Sequence, residues 1–149
     1  MKFIINGGQA LEGEIKLAGA KNAATKMMVA SILTSEPCFL SNSPDIGDSK
    51  ITEELCQSIG SKISRTGDVL KIQTSTIKNP RVVSLSRKNR IPILALGPLL
   101  ARVGEAEVPI LGGDKIGPRP VDIHVSALTA MGATIKSLYS SSGVTNPTP

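Results

Sequence analysis

Cys38-Phe39-Leu40, a loop containing Ile46-Gly47, a helix-like stretch and then Ser58-Ile59-Gly60-Ser61-Lys62-Ile63 form one pattern in this 149-residue chain. The pattern returns as Val108-Pro109-Ile110, a loop containing Ile116-Gly117, a second helix-like stretch and Ala130-Met131-Gly132-Ala133-Thr134-Ile135, displaced by 70 to 72 residues. Each copy follows another helical stretch, residues 21–33 or 91–102. The repeating unit is helix, strand, loop, helix, strand, which puts the chain in the α/β (α+β) class. Such units cannot bury their apolar faces singly, and about three are wanted to close a common core. Two copies therefore predict an incomplete set.

Around this repeat the local signals are specific. Phe3 to Gln9 and Leu11 to Leu17 read as two short strands about Gly7-Gly8, since Ile15 and Leu17 alternate with Glu14 and Lys16. Lys21 to Leu33 reads as a helix with Ala24, Met27, Met28, Ser31 and Ile32 on its inner face. Glu36 to Leu40 is a predicted strand, and Asp48 or Ser49 is placed to cap the helix that carries Ile51, Leu55 and Ile59. Gly60 suits the left-handed residue after that helix. Lys62 to Thr66 and Val69 to Thr74 predict a hairpin about Gly67-Asp68. A third helix starts at Ile91 with Pro92 in its first turn, and Pro98 predicts a kink in its interior. Glu107 to Leu111 predicts a strand, Val121 to Met131 a fourth helix ended by Gly132, and Ala133 to Tyr139 a last strand. Ser140 to Pro149 holds one apolar residue, Val144, and reads as a disordered tail.

Composition narrows the function. Forty per cent of residues are hydrophobic, but the aromatics are only Phe3, Phe39 and Tyr139, so the core must be aliphatic. The same scarcity argues against nucleic acid as a partner, because single-strand binding uses aromatic stacking platforms. The longest apolar run, Ile91 to Ala101, is 11 residues broken by Pro92, Gly97 and Pro98, short of the roughly 18 a membrane helix needs. The N-terminus carries no signal-peptide pattern. One histidine and two scattered cysteines, Cys38 and Cys56, predict neither a zinc site nor a disulfide framework, and the cysteines read as small buried apolar residues. The expectation is a cytoplasmic, soluble chain without metal or cofactor. The net charge of +5 is concentrated at Lys78, Arg81, Arg87, Lys88 and Arg90, a stretch with no acidic residue. That local charge fits a small anion or a solvated loop better than the broad footprint of nucleic acid.

Three places carry possible chemistry. In Gly19-Ala20-Lys21-Asn22-Ala23-Ala24 the glycine permits close backbone approach and a lysine stands at a helix start, where a phosphate or carboxylate fits. No Walker pattern is present, and on spacing alone Lys21 fits an ordinary exposed lysine as well. The loop Gly112-Gly113-Asp114-Lys115-Ile116-Gly117-Pro118-Arg119-Pro120-Val121-Asp122 has three glycines, two prolines and no aromatic residue, which makes it both shaped and partly restrained. Arg119 there has a planar fork suited to phosphate or carboxylate oxygens, and a surface connection with solvated charges is the other reading. Arg90 and Arg102 flank the third helix, and pairing with Glu105 or Glu107 on the surface is the reading favoured for Arg102. His124, alone on the fourth helix, reads more readily as a hydrogen-bonded structural residue than as a general base.

Four stretches together resemble the UDP-N-acetylglucosamine 1-carboxyvinyltransferase family of enolpyruvyl transferases. They are Ile4-Ile5-Asn6-Gly7-Gly8, Leu17-Ala18-Gly19-Ala20-Lys21-Asn22-Ala23-Ala24, Ala95-Leu96-Gly97-Pro98-Leu99-Leu100-Ala101-Arg102 and Gly112-Gly113-Asp114 through His124. The resemblance runs from residue 1 to about 138 and implies an inside-out α/β barrel of repeated units, here incomplete. It implies transfer of enolpyruvyl from phosphoenolpyruvate to UDP-N-acetylglucosamine, the first committed step of peptidoglycan synthesis. By resemblance Lys21 and Asn22 hold phosphoenolpyruvate. Arg90 contacts the nucleotide sugar, and Arg119, Pro120, Val121, Asp122, Ile123 and His124 line its site. Asp114 takes the proton donor's place, where many family members have cysteine. Residues 1–20 would be a strand pair belonging with a second domain, and 21–139 the first two units of the first domain. Family members are nearly three times as long, so the resemblance implies a missing C-terminal part and an inactive fragment. A non-catalytic nucleotide-sugar-binding remnant and a relative of the shikimate-pathway enolpyruvyl transferase are the alternatives, although the latter is expected to have Lys-Ser where this chain has Lys21-Asn22.

Asp114 makes a specific expectation. Fosfomycin alkylates a thiol, so mass spectrometry of the treated chain is expected to show no adduct on the peptide spanning residues 112–120. Covalent labelling of that peptide would overturn the reading of Asp114.

Overall fold

From Lys21 to Glu36 the sequence has neither glycine nor proline, and it forms α1 (Lys21–Ala30), tightening into a 3-10 turn at Ser31–Leu33. In this computed structural model the residues described are 2–87, 89–109, 112 and 120–136. They fall into two compact units, Met1–Gly113 and Asp114–Pro149, each considered by itself.

In the first unit α1 buries Ala24, Thr25, Met28 and Val29, followed by Ser31 and Ile32. The buried stripe is turned by one position from the predicted one, so Thr25 and Val29 enter the core and Met27 is left 54% exposed. The helix α2 (Gly47–Ile59) buries the predicted Ile51, Leu55 and Ile59, with Cys56 beside them. Its N-cap is Ile46, without a side-chain bond, so neither Asp48 nor Ser49 caps it; both stand inside the first turn. Gly60 ends it at φ +123, a conformation that L side chains rarely adopt.

The hairpin forms as predicted, with β2 (Lys62–Thr66) and β3 (Val69–Gln73) joined through Gly67-Asp68. The strand β1 (Cys38–Leu40) lies antiparallel on the other side of β3, giving the order β1-β3-β2. Alternation sorts the two faces. Leu70 and Ile72 point into the core with Leu40 and Ile63, while Phe39 faces out beneath the Lys71 ammonium, 5.6 Å from the ring centroid. The core is aliphatic: Met28, Ile32, Leu55, Ile59, Leu70, Ile72 and Leu99 are fully buried.

Pro98 produces no interior kink. The chain is instead split before it, into a 3-10 segment Ile91–Ala95 and α3 (Leu96–Val103). That division puts Pro98 in the first turn of α3, where an amide has no intrahelical partner to lose. The predicted strand from Glu107 shrinks to one parallel bridge, Arg81 with Glu107; Val108 and Pro109 are irregular, and Ile110 and Leu111 lie outside the described residues. Residues 2–20 form no strand, and Phe3, Ile4, Ile5, Leu11, Ile15 and Leu17 are 77% to 95% exposed. A strand is held by a neighbour's backbone, and no described strand lies beside this segment.

In the second unit α4 (Asp122–Ala130) matches the predicted fourth helix within a residue at each end, and Gly132 follows with φ +95. None of its residues is buried. Residues 133–136 are not a strand. The remainder of that predicted strand and the tail 140–149 lie outside the described residues. The first copy of the repeat thus has its strands; among the described residues of the second, 108, 109 and 133–136 are in no strand. In the first copy β3 lies between β1 and β2 and pairs with both.

Arg102 is not in the surface ion pair favoured for it; Arg81 makes that pair, with Glu105 at 3.0 Å. The Arg102 Nη1 lies 2.6 Å from the Thr74 carbonyl oxygen, 3.1 Å from that of Ile32 and 3.2 Å from that of Thr34. Its Nη2 donates to Ser75 O at 3.1 Å. One guanidinium therefore ties α3 to the end of the first helix and to the exit of β3. Arg102→Ala is expected to lower the unfolding free energy by about 2–4 kcal/mol, since it strands several carbonyls that had a charged donor. Urea denaturation measures the loss, and Arg102→Lys should recover only part of it because an ammonium lacks the planar fork.

Candidate functional site

Ala20 has extended backbone, and its carbonyl accepts from Ala23 N at 3.1 Å and Ala24 N at 3.0 Å, so α1 begins at Lys21 and Asn22. Amides of a first turn have no intrahelical acceptor, and the helix's partial positive charge gathers there. The Lys21 ammonium adds a full charge to that end. It lies 2.8 Å from Asp48 Oδ2, with the two side chains 55% and 40% exposed. Asp48 stands in the first turn of α2, so the starts of two packed helices meet across one ion pair.

What holds these starts together is backbone contact. A Cβ at Gly19 would fall on the carbonyl oxygen of Asn42, so no other residue fits there without moving one of the two chains. Asn42 itself has φ +52, and its Nδ2 donates to Leu17 O at 3.4 Å. The loop that contains it is fixed from the hairpin. Ser43 N donates to Asp68 O at 2.8 Å, and Arg65 Nη1 donates to Ser43 O at 2.9 Å. Arg65 Nη2 also pairs with Glu53 at 2.8 Å, both largely shielded from solvent. The hairpin thus fixes the loop, the loop seats Gly19, and Gly19 sets where Lys21 begins.

Arg90 is the N-cap of the 3-10 segment Ile91–Ala95, which packs against α1, and it is exposed. Asn89 before it is buried. Its Oδ1 accepts from Ile91 N at 3.0 Å, and its carbonyl accepts from Gly112 N at 3.1 Å. One residue therefore anchors both the turn bearing Arg90 and the start of the glycine-rich loop. A cavity of about 200 Å³ lies beside this turn, walled by Val83, Leu85, Pro92 and Pro109 with Arg87 and Asn89. Lys21, Asn22 and Arg90 are not in its wall.

The other predicted site residues divide cleanly. Pro120 precedes α4, Val121 is its N-cap, and Asp122, Ile123 and His124 occupy its first turn, exposed apart from the half-buried Val121. His124 makes no hydrogen bond with a described residue, so the structural reading of it is not realised there. Asp114 and Arg119 lie outside the described residues. Cys56 is buried, and burial pushes its thiol up to about 12, with the Glu53 charge adding to the shift. It is protonated at neutral pH and is no nucleophile. Cys38 is only half-buried. The sequence marked a helix start at Lys21 after Gly19, and the structure has it, but gave no sign of Asp48 as the partner of Lys21, of Asn42 against Gly19, or of Arg102 as the tie at the far end of α1. The apolar run Ala95–Ala101 leading into Arg102 was a usable signal for a residue at a core edge, whereas nothing local marks Asp48 as the partner of Lys21.

The first unit is thus a small aliphatic α/β unit with a cation-bearing helix start. The family profile described as EPSP synthase (3-phosphoshikimate 1-carboxyvinyltransferase) matches residues 5–146, and the chain belongs to that family. Among its relatives, the UDP-N-acetylglucosamine 1-carboxyvinyltransferase of Chlamydia abortus is 47% identical over 133 residues, covering 87% of this chain and 30% of that protein. The proteins of the same name from Chlamydia pneumoniae and Acinetobacter baylyi are 49% and 44% identical, over 85% and 91% of this chain and 29% and 32% of their own lengths. The chain thus spans about 30% of the length of the curated relatives it matches.

The Gly19 contact gives a direct test. Gly19→Ala is expected to destabilise the first unit by about 2 kcal/mol or more, because the clash is with backbone that cannot swing aside. Thermal melting followed by circular dichroism checks it, and Gly7→Ala, which meets nothing within 4 Å, is the control.

Proposed function

We propose that the protein to which this chain belongs transfers the enolpyruvyl group of phosphoenolpyruvate to UDP-N-acetylglucosamine, with release of phosphate, as a step of peptidoglycan synthesis in the cytoplasm. The observation that carries the reading is sequence identity of 43% to 49% with relatives bearing that activity in their names, over 85% to 91% of this chain. The family profile bears the name of the 3-phosphoshikimate enzyme, but the Lys21-Asn22 pair and these relatives favour the nucleotide sugar.

In this reading the methylene carbon of phosphoenolpyruvate takes a proton, the sugar hydroxyl attacks the cationic centre that results and gives up its own proton, and the adduct loses a proton from the new methyl group as phosphate leaves. Lys21 supplies a cation and Asn22 an amide donor at the start of α1, where a multiply charged substrate is favoured. Arg90 and the run Arg119, Pro120, Val121, Asp122, Ile123 and His124 take the nucleotide sugar. Asp114 is the proton donor. A carboxyl has a reference pKa of about 3.9 against about 8.5 for a thiol, and Lys115 and Arg119 are its sequence neighbours. Asp114 therefore depends on the negative charge of bound phosphoenolpyruvate, or on exclusion of water, to hold its proton at neutral pH. We further assign residues 1–20 to a strand pair completed by a second domain. Residues 21–139 are the first two units of an inside-out barrel, and both substrates contact parts of the family fold beyond this chain.

Two measurements test the proposal. UDP-N-acetylglucosamine is expected to raise the melting temperature of the 149-residue polypeptide, and Arg90→Ala to remove that shift; no shift would reject nucleotide-sugar binding by this chain. The polypeptide alone is expected to release no phosphate from the two substrates together. Joined to the remaining part of the Chlamydia abortus relative it should release phosphate only when both are present, and Lys21→Ala should cost about 100-fold or more in rate.

A further inference from the structure

We infer that the cavity beside the 3-10 turn at Ile91 is a binding site for a small organic carboxylate, with Arg87 and the Asn89 side-chain amide taking the carboxylate and the apolar wall taking the carbon body. The cavity measures about 200 Å³, and Lys21, Asn22 and Arg90 are not in its wall. It lies outside the set of residues read above as substrate contacts. Sites for drug-sized ligands begin at roughly 300 Å³, so this one fits a compact acid and not a nucleotide sugar.

The observation that points to a ligand is an unpaired donor. Asn89 is in the wall and is 8% exposed. Its Oδ1 accepts from Ile91 N at 3.0 Å. That backbone group only donates, so the amide cannot be turned about, and Nδ2 is the end left over. Nδ2 is buried and has no hydrogen-bond partner among the described residues. A buried donor without an acceptor destabilises a fold, and a ligand oxygen that meets it recovers the loss. A carboxylate is a strong acceptor for such a donor. Arg87 supplies the charge: it lines the same cavity, is exposed, and makes no ion pair with a described residue. Val83, Leu85, Pro92 and Pro109 give the cavity its apolar surface, and no described acidic residue is in the wall.

The wall is held in place by bonds on several sides. Val82 N donates to Glu107 O at 2.8 Å, and Gly112 N donates to Asn89 O at 3.1 Å. Ser86 N and Ser86 Oγ donate to the Glu54 carboxylate at 2.7 and 2.5 Å. Glu54 opposes an arriving anion. It is offset by both Ser86 donors and is not in the wall, whereas Arg87 is, so the nearer charge decides the sign.

The test is NMR titration of the isotopically labelled 149-residue chain with benzoate, following the Asn89 side-chain amide and the Gly112 backbone amide that Asn89 holds. Benzoate is expected to shift both, with half-saturation at about 1–5 mM, the affinity a ligand of its size reaches. Benzyl alcohol has the ring without the charge, and inorganic phosphate has charge without a carbon body; each should bind about 5-fold more weakly or worse. Arg87→Gln should weaken benzoate about 5-fold, a difference that narrows in about 0.5 M salt. Asn89→Asp keeps the acceptor for Ile91 N and puts an oxygen in place of the donor, so it should bind benzoate about 10-fold more weakly. Thermal melts confirm that both variants fold, and Arg87→Gln decides alone if Asn89→Asp does not. The proposal is overturned if benzoate up to about 50 mM shifts neither amide. Binding of phosphate or benzyl alcohol as tight as that of benzoate, or unchanged affinity in Arg87→Gln, overturns it as well.

Discussion

The carbonyl oxygen of Asn42 fills the space that a side chain at position 19 would need, and the placement of the cationic corner follows from that fact. A lysine on a four-carbon stem is a poor positioning device by itself, because its charge can be carried by many rotamers. Here the stem springs from a helix whose first residue is fixed against the loop preceding α2. The loop is in turn held by Arg65 and by the Asp68 carbonyl at the hairpin turn. Backbone, not side chain, carries the precision. A glycine is required for the same reason: only the absence of a Cβ lets two main chains come this near.

The opposite end of α1 is secured in a different way. There the chain leaves a helix through a 3-10 turn and presents carbonyls that lack helical partners, a need every helix end has. Arg102 meets it from α3 with a fork that reaches the ends of two elements at once. Between these two fixed ends lies an aliphatic seam of Met28, Ile32, Leu55, Ile59 and Leu99 against Leu70 and Ile72. The seam resists rearrangement, since filled interiors move as discrete alternatives and not by gradual deformation.

Elements whose signals are local were legible in the sequence. The stripe Ile51, Leu55, Ile59 with Gly60 after it defines α2, and Gly67-Asp68 between alternating runs defines the hairpin. Strands that depend on a distant neighbour were not. The alternation in residues 11–17 is genuine, but a period of two states only which side chains share a face and supplies no hydrogen-bonding partner. Glu107 shows the intermediate case: among the described residues of the expected strand it makes a single bridge, to Arg81, and Val108 and Pro109 after it are irregular. The kink expected at Pro98 is replaced by a change from 3-10 to α-helix before it, at Leu96, which leaves Pro98 in the first turn of α3.

The same distinction governs the site. The helix start at Lys21 and Asn22 was legible because a glycine, a lysine and a helical stretch are adjacent in the chain. Asp48 and Asn42 were not, because they meet Lys21 and Gly19 only after α1 has packed against α2. Local order of residues announces where a charge stands; the fold determines what that charge is balanced against. The charge of an ammonium beside a helix start is balanced by groups that only the fold brings near, and the carboxylate of Asp48, at the start of a second helix, supplies part of that balance at 2.8 Å.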